Sequence, residues 1–175
     1  MTPTIRRSAP LLVLLLLAAC AGGPPTSAGP APLTDASPEQ MLAAIEAAAG
    51  SGEGELAVMP LRDPMVEDLR ERARAARGQA RYDEAADALE RALAIVADDP
   101  ALLQERAEVA LLQRDFERAG ALAERAFALG AQVGPLCRRH WATIEQMRLA
   151  TGDAEGAASA AHQVQGCRVA GPERY

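Results

Sequence analysis

At 175 residues and a formal charge of −6, the chain has room for one modest domain beyond its opening apolar segment. All 18 basic residues are Arg and 24 acids outnumber them, which argues against nucleic acid as a partner, because such binding rests on neutralising phosphates. Aromatics are 3% of the chain against an apolar fraction of 49%, mostly Ala and Leu, and no alternating β-branched stretch reads as a strand; the expected fold class is all-α.

Arg6 and Arg7 precede an apolar run over residues 9–19. A helix that crosses a bilayer needs about 20 apolar residues. This run is roughly half that, the length of a signal-peptide core. Ala18-Ala19 alone would suit an ordinary secretory cut. Leu17-Ala18-Ala19-Cys20 is more specific and resembles the bacterial lipobox: Leu, two small residues and Cys at the end of the apolar run. The resemblance implies that residues 1–19 are a lipoprotein signal peptide, cut just before Cys20. It also implies that Cys20 carries acyl chains on its thiol and new amino terminus. More than one chain is what stable anchoring requires. Ala21 and Gly22 come after the Cys with no acid, which in that family implies sorting to the outer membrane, facing the periplasm. Without Arg6 and Arg7 the mature chain carries 16 Arg against 24 acids, a charge near −8.

Residues 20–37 combine the lipidated Cys with a Pro/Gly/Ser linker, GGPPTSAGPAPLTDAS, which is semi-extended and holds the rest of the chain away from the bilayer. Ser37-Pro38-Glu39-Gln40 reads as a helix start, with Ser as N-cap, Pro first in the helix and Gln to complete a capping box. That helix is expected to end near Gly50, so residues 38–63 form a short helix and an irregular connection, GSGEGELAVMPLR. The helix is either a cap on the next domain or a flexible lead.

Residues 69–94, LRERARAARGQARYDEAADALERALA, align without a gap with residues 103–128, LQERAEVALLQRDFERAGALAERAFA, at an offset of 34. Leu69, Glu71, Arg72 and Ala73 recur as Leu103, Glu105, Arg106 and Ala107; Tyr82 becomes Phe116, Ala85 becomes Ala119, and Glu90-Arg91-Ala92 returns as Glu124-Arg125-Ala126. Leu69, Ala73, Ala76 and Ala80 step along one helix face, and Tyr82, Ala85, Leu89, Ala92 and Val96 along the next. Asp63-Pro64 and Asp99-Pro100 each supply an N-cap and a first-turn Pro. The period and the small residues at the helix contact resemble tetratricopeptide repeats (TPR), two antiparallel helices per unit. A third unit opens at Gly134-Pro135, with Trp141 in the large position of its first helix, TGDAEGAA (151–158) as the inter-helix turn and Ala157 in the small position. Residues 64–168 thus resemble three TPR-like helix-turn-helix repeats, an α-solenoid of three antiparallel pairs preceded by a short helix, and residues 169–175 form a C-terminal tail. No heptad is sustained long enough for a coiled coil.

Catalytic candidates are few. There is no Gly-x-Ser-x-Gly elbow, no His-Glu-x-x-His and no Gly-rich phosphate loop, and acids on amphipathic helices read as solvated faces. Cys137, His140, His162 and Cys167 place four zinc ligands, two Cys and two His, at the two ends of the third repeat. The competing reading is a Cys137–Cys167 disulfide, favoured by an exported compartment. In a two-helix unit the start of the first helix and the end of the second lie at the same end, which puts the two Cys within bonding reach.

Arg70, Arg74, Arg77 and Arg81 step four, three and four along the first repeat helix and share a face. The repeat resemblance implies that first helices line a concave surface. It would carry Arg70, Arg74 and Arg77 with Gln104 and Glu108 from the second unit and Arg139 and Gln146 from the third. Arg grips a carboxylate bidentately, so an acidic segment or a carboxyl terminus is the expected ligand; the plainer reading is a solvated face balanced by Glu67 and Glu71. The Lys and Asn of a full carboxylate clamp are absent. The expected function is a lipid-anchored TPR-like interaction module, an adaptor or scaffold in the bacterial envelope. Its partner is another envelope protein or peptide; no catalysis, cofactor or small-molecule substrate is expected. The resemblance implies client processes such as cell-wall enzyme regulation, outer-membrane biogenesis or secretion assembly. The alternatives are an enzyme or metal-binding lipoprotein using the Cys/His set, and an envelope spacer without a client.

Overall fold

The computed structural model describes residues 29–50 and 63–168. The signal segment 1–19, Cys20, the first part of the linker, the connection at 51–62 and the tail 169–175 lie outside the described residues. Within them the chain is all-helical: α1 (Pro38–Ala49), α2 (Pro64–Gly78), α3 (Tyr82–Ile95), α4 (Pro100–Leu112), α5 (Phe116–Leu129), α6 (Gly134–Ala150) and α7 (Ala154–Gly166).

Helix starts are written in side-chain oxygens. Ser37 and Gln40 form a reciprocal capping box on α1. Asp63 accepts from the Met65 amide, and Asp99 from those of Ala101 and Leu102, each just before a Pro that has no amide to satisfy. Asp115 and Asp153 cap α5 and α7 through the Arg118 and Gly156 amides. Helices α2 and α3, α4 and α5, and α6 and α7 pack as consecutive antiparallel pairs, and α3 on α4 and α5 on α6 join the pairs into a stack. Ala85, Ala92, Ala119, Ala123, Ala126 and Ala160 are wholly excluded from solvent, so neighbouring backbones approach closely where the core offers no bulk. Helix α4 is the central rod, with Leu102, Leu103, Ala107, Ala110 and Leu111 fully buried.

One turn is used three times. Ala80, Arg114 and Gly152 carry positive φ at 56°, 63° and 80°, and the next amide reaches back to a helix carbonyl: Arg81 to Ala76, Asp115 to Ala110, Asp153 to Arg148. This left-handed closure terminates the first helix of each pair and aims the second. The turn in the third unit is shorter than expected, because Ala154 already belongs to α7. Ala80, expected on the apolar face of α2, instead sits exposed in the turn.

Helix α1 is placed by packing rather than by sequence order. It lies on α6 and on α4, both first helices, not at the end of the stack next to α2. The Leu33 amide bonds the Leu149 carbonyl at 2.8 Å, and Arg138 bonds the Ala49 carbonyl, so α1 runs antiparallel to α6. Gly152 admits this approach: a Cβ there would meet the Ala31 carbonyl oxygen at 2.5 Å. In the third pair, Cys137 and Cys167 are joined with Cα atoms 5.7 Å apart, and the Gly134 amide bonds the Cys167 carbonyl at 2.7 Å.

Ala80→Gly is expected to raise unfolding stability by about 1 kcal/mol in urea titrations, because a left-handed Ala carries a steric penalty that Gly lacks. Cys137→Ser is expected to lower stability by about 3 kcal/mol, the chain-entropy contribution of a loop of this length. Unreduced, unfolded parent protein should then titrate with no thiol from Cys137 or Cys167.

Candidate functional site

The face lined by the first helices holds a pocket of about 260 Å³ bounded by Arg70, Ala73, Arg74, Arg77, Leu89, Glu105, Val109 and Arg139. The four-three step along α2 brings Arg70, Arg74 and Arg77 to it, as the helical period requires. Arg81 leaves the stripe: it is the N-cap residue of α3 and pairs with Glu84 at 2.5 Å.

Two of the three stripe arginines are already engaged. Arg70 bonds Glu67 at 2.9 Å and grips the Glu105 carboxylate of α4 from Nε and a terminal nitrogen. Arg77 bonds Glu108 at 3.1 Å and lies 3.9 Å from Glu46 of α1. Arg74 is exposed and has no hydrogen bond or ion pair among the described residues. Of the expected acidic counterweights, Glu67 serves; Glu105 and Glu108 from the neighbouring helix carry the rest. Spacing along α2 does not single out Glu105, although its alignment with Glu71 marks it as the second unit's copy of a repeat position.

Glu108 does not line the surface. It is 0% exposed and forms the floor under the pocket. Arg139 donates to it from Nε at 2.5 Å and from a terminal nitrogen at 2.7 Å, Arg77 at 3.1 Å and the Gln104 amide at 2.9 Å. Burial works against the charge of Arg139, but the charge and hydrogen bonds of Glu108, with the Glu46 and Glu105 charges, together outweigh it and leave the guanidinium pKa raised. Gln104 is equally buried; its amide nitrogen also donates to the Thr143 hydroxyl at 2.8 Å, which in turn donates to the Arg139 carbonyl at 2.9 Å. With both amide donors used, the Gln104 oxygen accepts from His140 Nδ1 at 2.7 Å. That assignment leaves His140 Nε2 as a lone pair without a partner, in a fully buried ring. Burial, then the nearby Arg139 charge, push its pKa down to about 4.

Gln146 is half-buried on α6 and is not part of the pocket lining. The four Cys and His residues do not assemble into a metal centre. The Cys sulfurs are bonded to each other, His140 points into the Gln104 network, and His162 is exposed on α7. Among the described residues no group of three or more His, Cys, Asp or Glu is placed to hold a metal ion.

Three stacked helix pairs, with one polar, arginine-rich face built from their first helices, define a helical-repeat domain of the TPR-like class. No family model matches the chain, and no curated protein matches it. Among solved structures, the globular C-terminal domain of P. aeruginosa LpoP is similar, with 30% identity and a TM-score of 0.57 over 60% of this chain and 99% of that one. At that identity across the whole of the compared domain, the chain belongs to the family of the LpoP C-terminal domain.

The buried His140 makes stability depend on pH. Unfolded, its imidazole titrates near 6.5; folded, near 4, so the unfolded chain takes up the proton first. Stability from this group is complete above pH 6.5 and is lost as pH falls toward 4, by at most about 3 kcal/mol. Urea unfolding at pH 7 and 4.5 should show a smaller fall for His140→Asn than for the parent.

Proposed function

We propose that this chain is a lipid-anchored interaction module of the bacterial envelope that binds another protein through its concave face, with no catalysis of its own. The observation that carries this reading is Arg74. It is an exposed cation, free of partners among the described residues, at a pocket whose other arginines are held in place by buried or half-buried acids. Held this way, the pocket gives Arg74 a fixed setting in which to meet a ligand carboxylate bidentately. An acidic segment or carboxyl terminus of a partner is therefore the ligand class.

Two further features support the envelope setting. The Leu17-Ala18-Ala19-Cys20 motif resembles a lipobox, and the linker behind it separates the anchor from the repeats. The similarity to the globular C-terminal domain of P. aeruginosa LpoP extends over 60% of this chain. No helix of the described residues is long and apolar enough to cross a membrane. Attachment in this reading is by lipid at Cys20.

In-cell cross-linking followed by mass spectrometry tests the reading directly. Arg74→Gln is expected to reduce the cross-linked partner by roughly ten-fold while changing stability by less than about 0.5 kcal/mol, since no hydrogen bond or ion pair among the described residues is lost. Capture by the parent should weaken as salt rises, because exposed charges are screened over about 10 Å at 0.1 M. Unchanged capture by Arg74→Gln would remove the pocket from the partner site. Cys20→Ala should abolish incorporation of labelled palmitate and release the protein from the membrane fraction; label retained by the variant would end the lipid-anchor reading.

A further inference from the structure

The face built from the first helices has two halves. Over α2 and α4 lies the open arginine pocket; over α4 and α6 lies α1. Met41, Ile45 and Ala49, each four residues from the last, are 2%, 0% and 8% exposed. Met41 and Ile45 belong to one apolar cluster with Ala110 and Leu111 of α4 and Ala142 of α6. At the C-terminal end of α1, Arg138 is 7% exposed and donates from Nε and a terminal nitrogen to the Ala49 carbonyl, at 3.0 and 2.7 Å. A guanidinium there satisfies a carbonyl that the helix itself leaves unpaired, and complements the helix dipole. The remaining side-chain ties are peripheral: Glu46 to Arg77 at 3.9 Å and the Tyr82 hydroxyl to Glu39 at 3.4 Å. An apolar trough with a buried cation at one end is a site built to take a helix.

Helix α1 also has the properties of an occupant rather than a fixed wall. At 12 residues it is below the length at which an isolated helix holds in water, so its order depends on the trough. It packs on helices distant in sequence, and none of the three repeat pairs includes it. Its departure therefore breaks no pairing within a repeat.

We infer that the α4–α6 face is a helix-docking site, filled in the resting chain by α1 and open to a partner's amphipathic helix of the same pattern. That pattern is large apolar residues at i and i+4, a small one at i+8, an acid at i+5, and a last-turn carbonyl that reaches Arg138. The inference rests on the reading of the concave face as the binding face and names a second class of partner contact on it. The partner helix and α1 compete for one trough, and the partner's acid at i+5 takes the place of Glu46 beside Arg77, which Glu108 holds throughout.

The probe is a fluorescein-labelled peptide of residues 37–50, titrated by anisotropy into full-length parent protein and into Ile45→Asp protein, whose own α1 cannot seat. The variant is expected to bind at least about ten-fold more tightly than the parent, because an intramolecular occupant lowers apparent affinity by the fraction of open sites. A peptide carrying Ile45→Asp should bind neither protein. No saturable binding to an Ile45→Asp protein whose loss of helicity is no greater than the share of α1 would overturn the inference. Hydrogen exchange on the unmodified parent covers the case in which the variant fails to fold. Amides of α1 are expected to exchange roughly a hundred-fold faster than those of α4 and α6, as an independently opening unit. Equal protection would show that α1 leaves only with global unfolding and would likewise overturn it. Neither measurement uses the partner, so their failure is distinct from unchanged cross-linking by Arg74→Gln.

Discussion

One buried carboxylate holds the three repeats in register. Glu108 of α4 is closed off from solvent and is satisfied only by groups from three helices: Arg77 of α2, Gln104 of its own helix and Arg139 of α6. An ionised acid in that position is costly unless every lone pair is met. If α2 or α6 shifts along α4, one arginine withdraws and the charge is left exposed to an apolar interior. Apolar packing sets part of the register through Leu102, Leu103 and Leu111, but the many Ala contacts slide past each other with little penalty and leave the charge to sharpen it. The fold thus gains closeness from small residues and sharper register from a charge.

The same network explains the character of the surface above it. Arg70 and Arg77 are drawn inward by Glu105 and Glu108, and Arg74, lying between them on the helix, has no acid within reach among the described residues. The result is a pocket with charge of both signs that is nearly compensated at its floor and uncompensated at one side chain. A surface of that kind suits selective docking of one carboxylate better than general attraction of acidic chains, which the net charge of −6 would oppose.

The third pair closes the stack and carries a covalent reinforcement. Its second helix contributes only Ala157, Ala160 and Val164 to the core, and the Cys137–Cys167 bond and the Gly134–Cys167 backbone bond close its open end. Helix α1 covers the other side of α6, and Trp141 of that helix sits 4.7 Å from Phe127 of the preceding pair. The end of an α-solenoid has no next repeat to bury its face. Here a covalent staple ties the last pair together, and α1 adds apolar cover to α6 from the first-helix face.

The sequence by itself determined the helices and their order. Asp-Pro starts, the 34-residue recurrence and the apolar step are local signals, legible because capping and helical periodicity act within a few residues. The stripe of Arg70, Arg74 and Arg77 was legible for the same reason, as was the shared end of Cys137 and Cys167, since an antiparallel pair leaves no other arrangement. What the arginines face was not legible. Glu105 and Glu108 lie about 30 positions away, and whether Glu108 is a solvated acid or a buried one depends on how far α2 and α6 close over α4. Gln146 and Arg81 had the right spacing but the wrong setting, one outside the pocket lining and the other past the end of its helix. The seat of α1 was the least legible, because an amphipathic helix declares which face it buries but not against what. Only the tertiary structure, by leaving an apolar trough on α4 and α6 with Arg138 at its end, decided that.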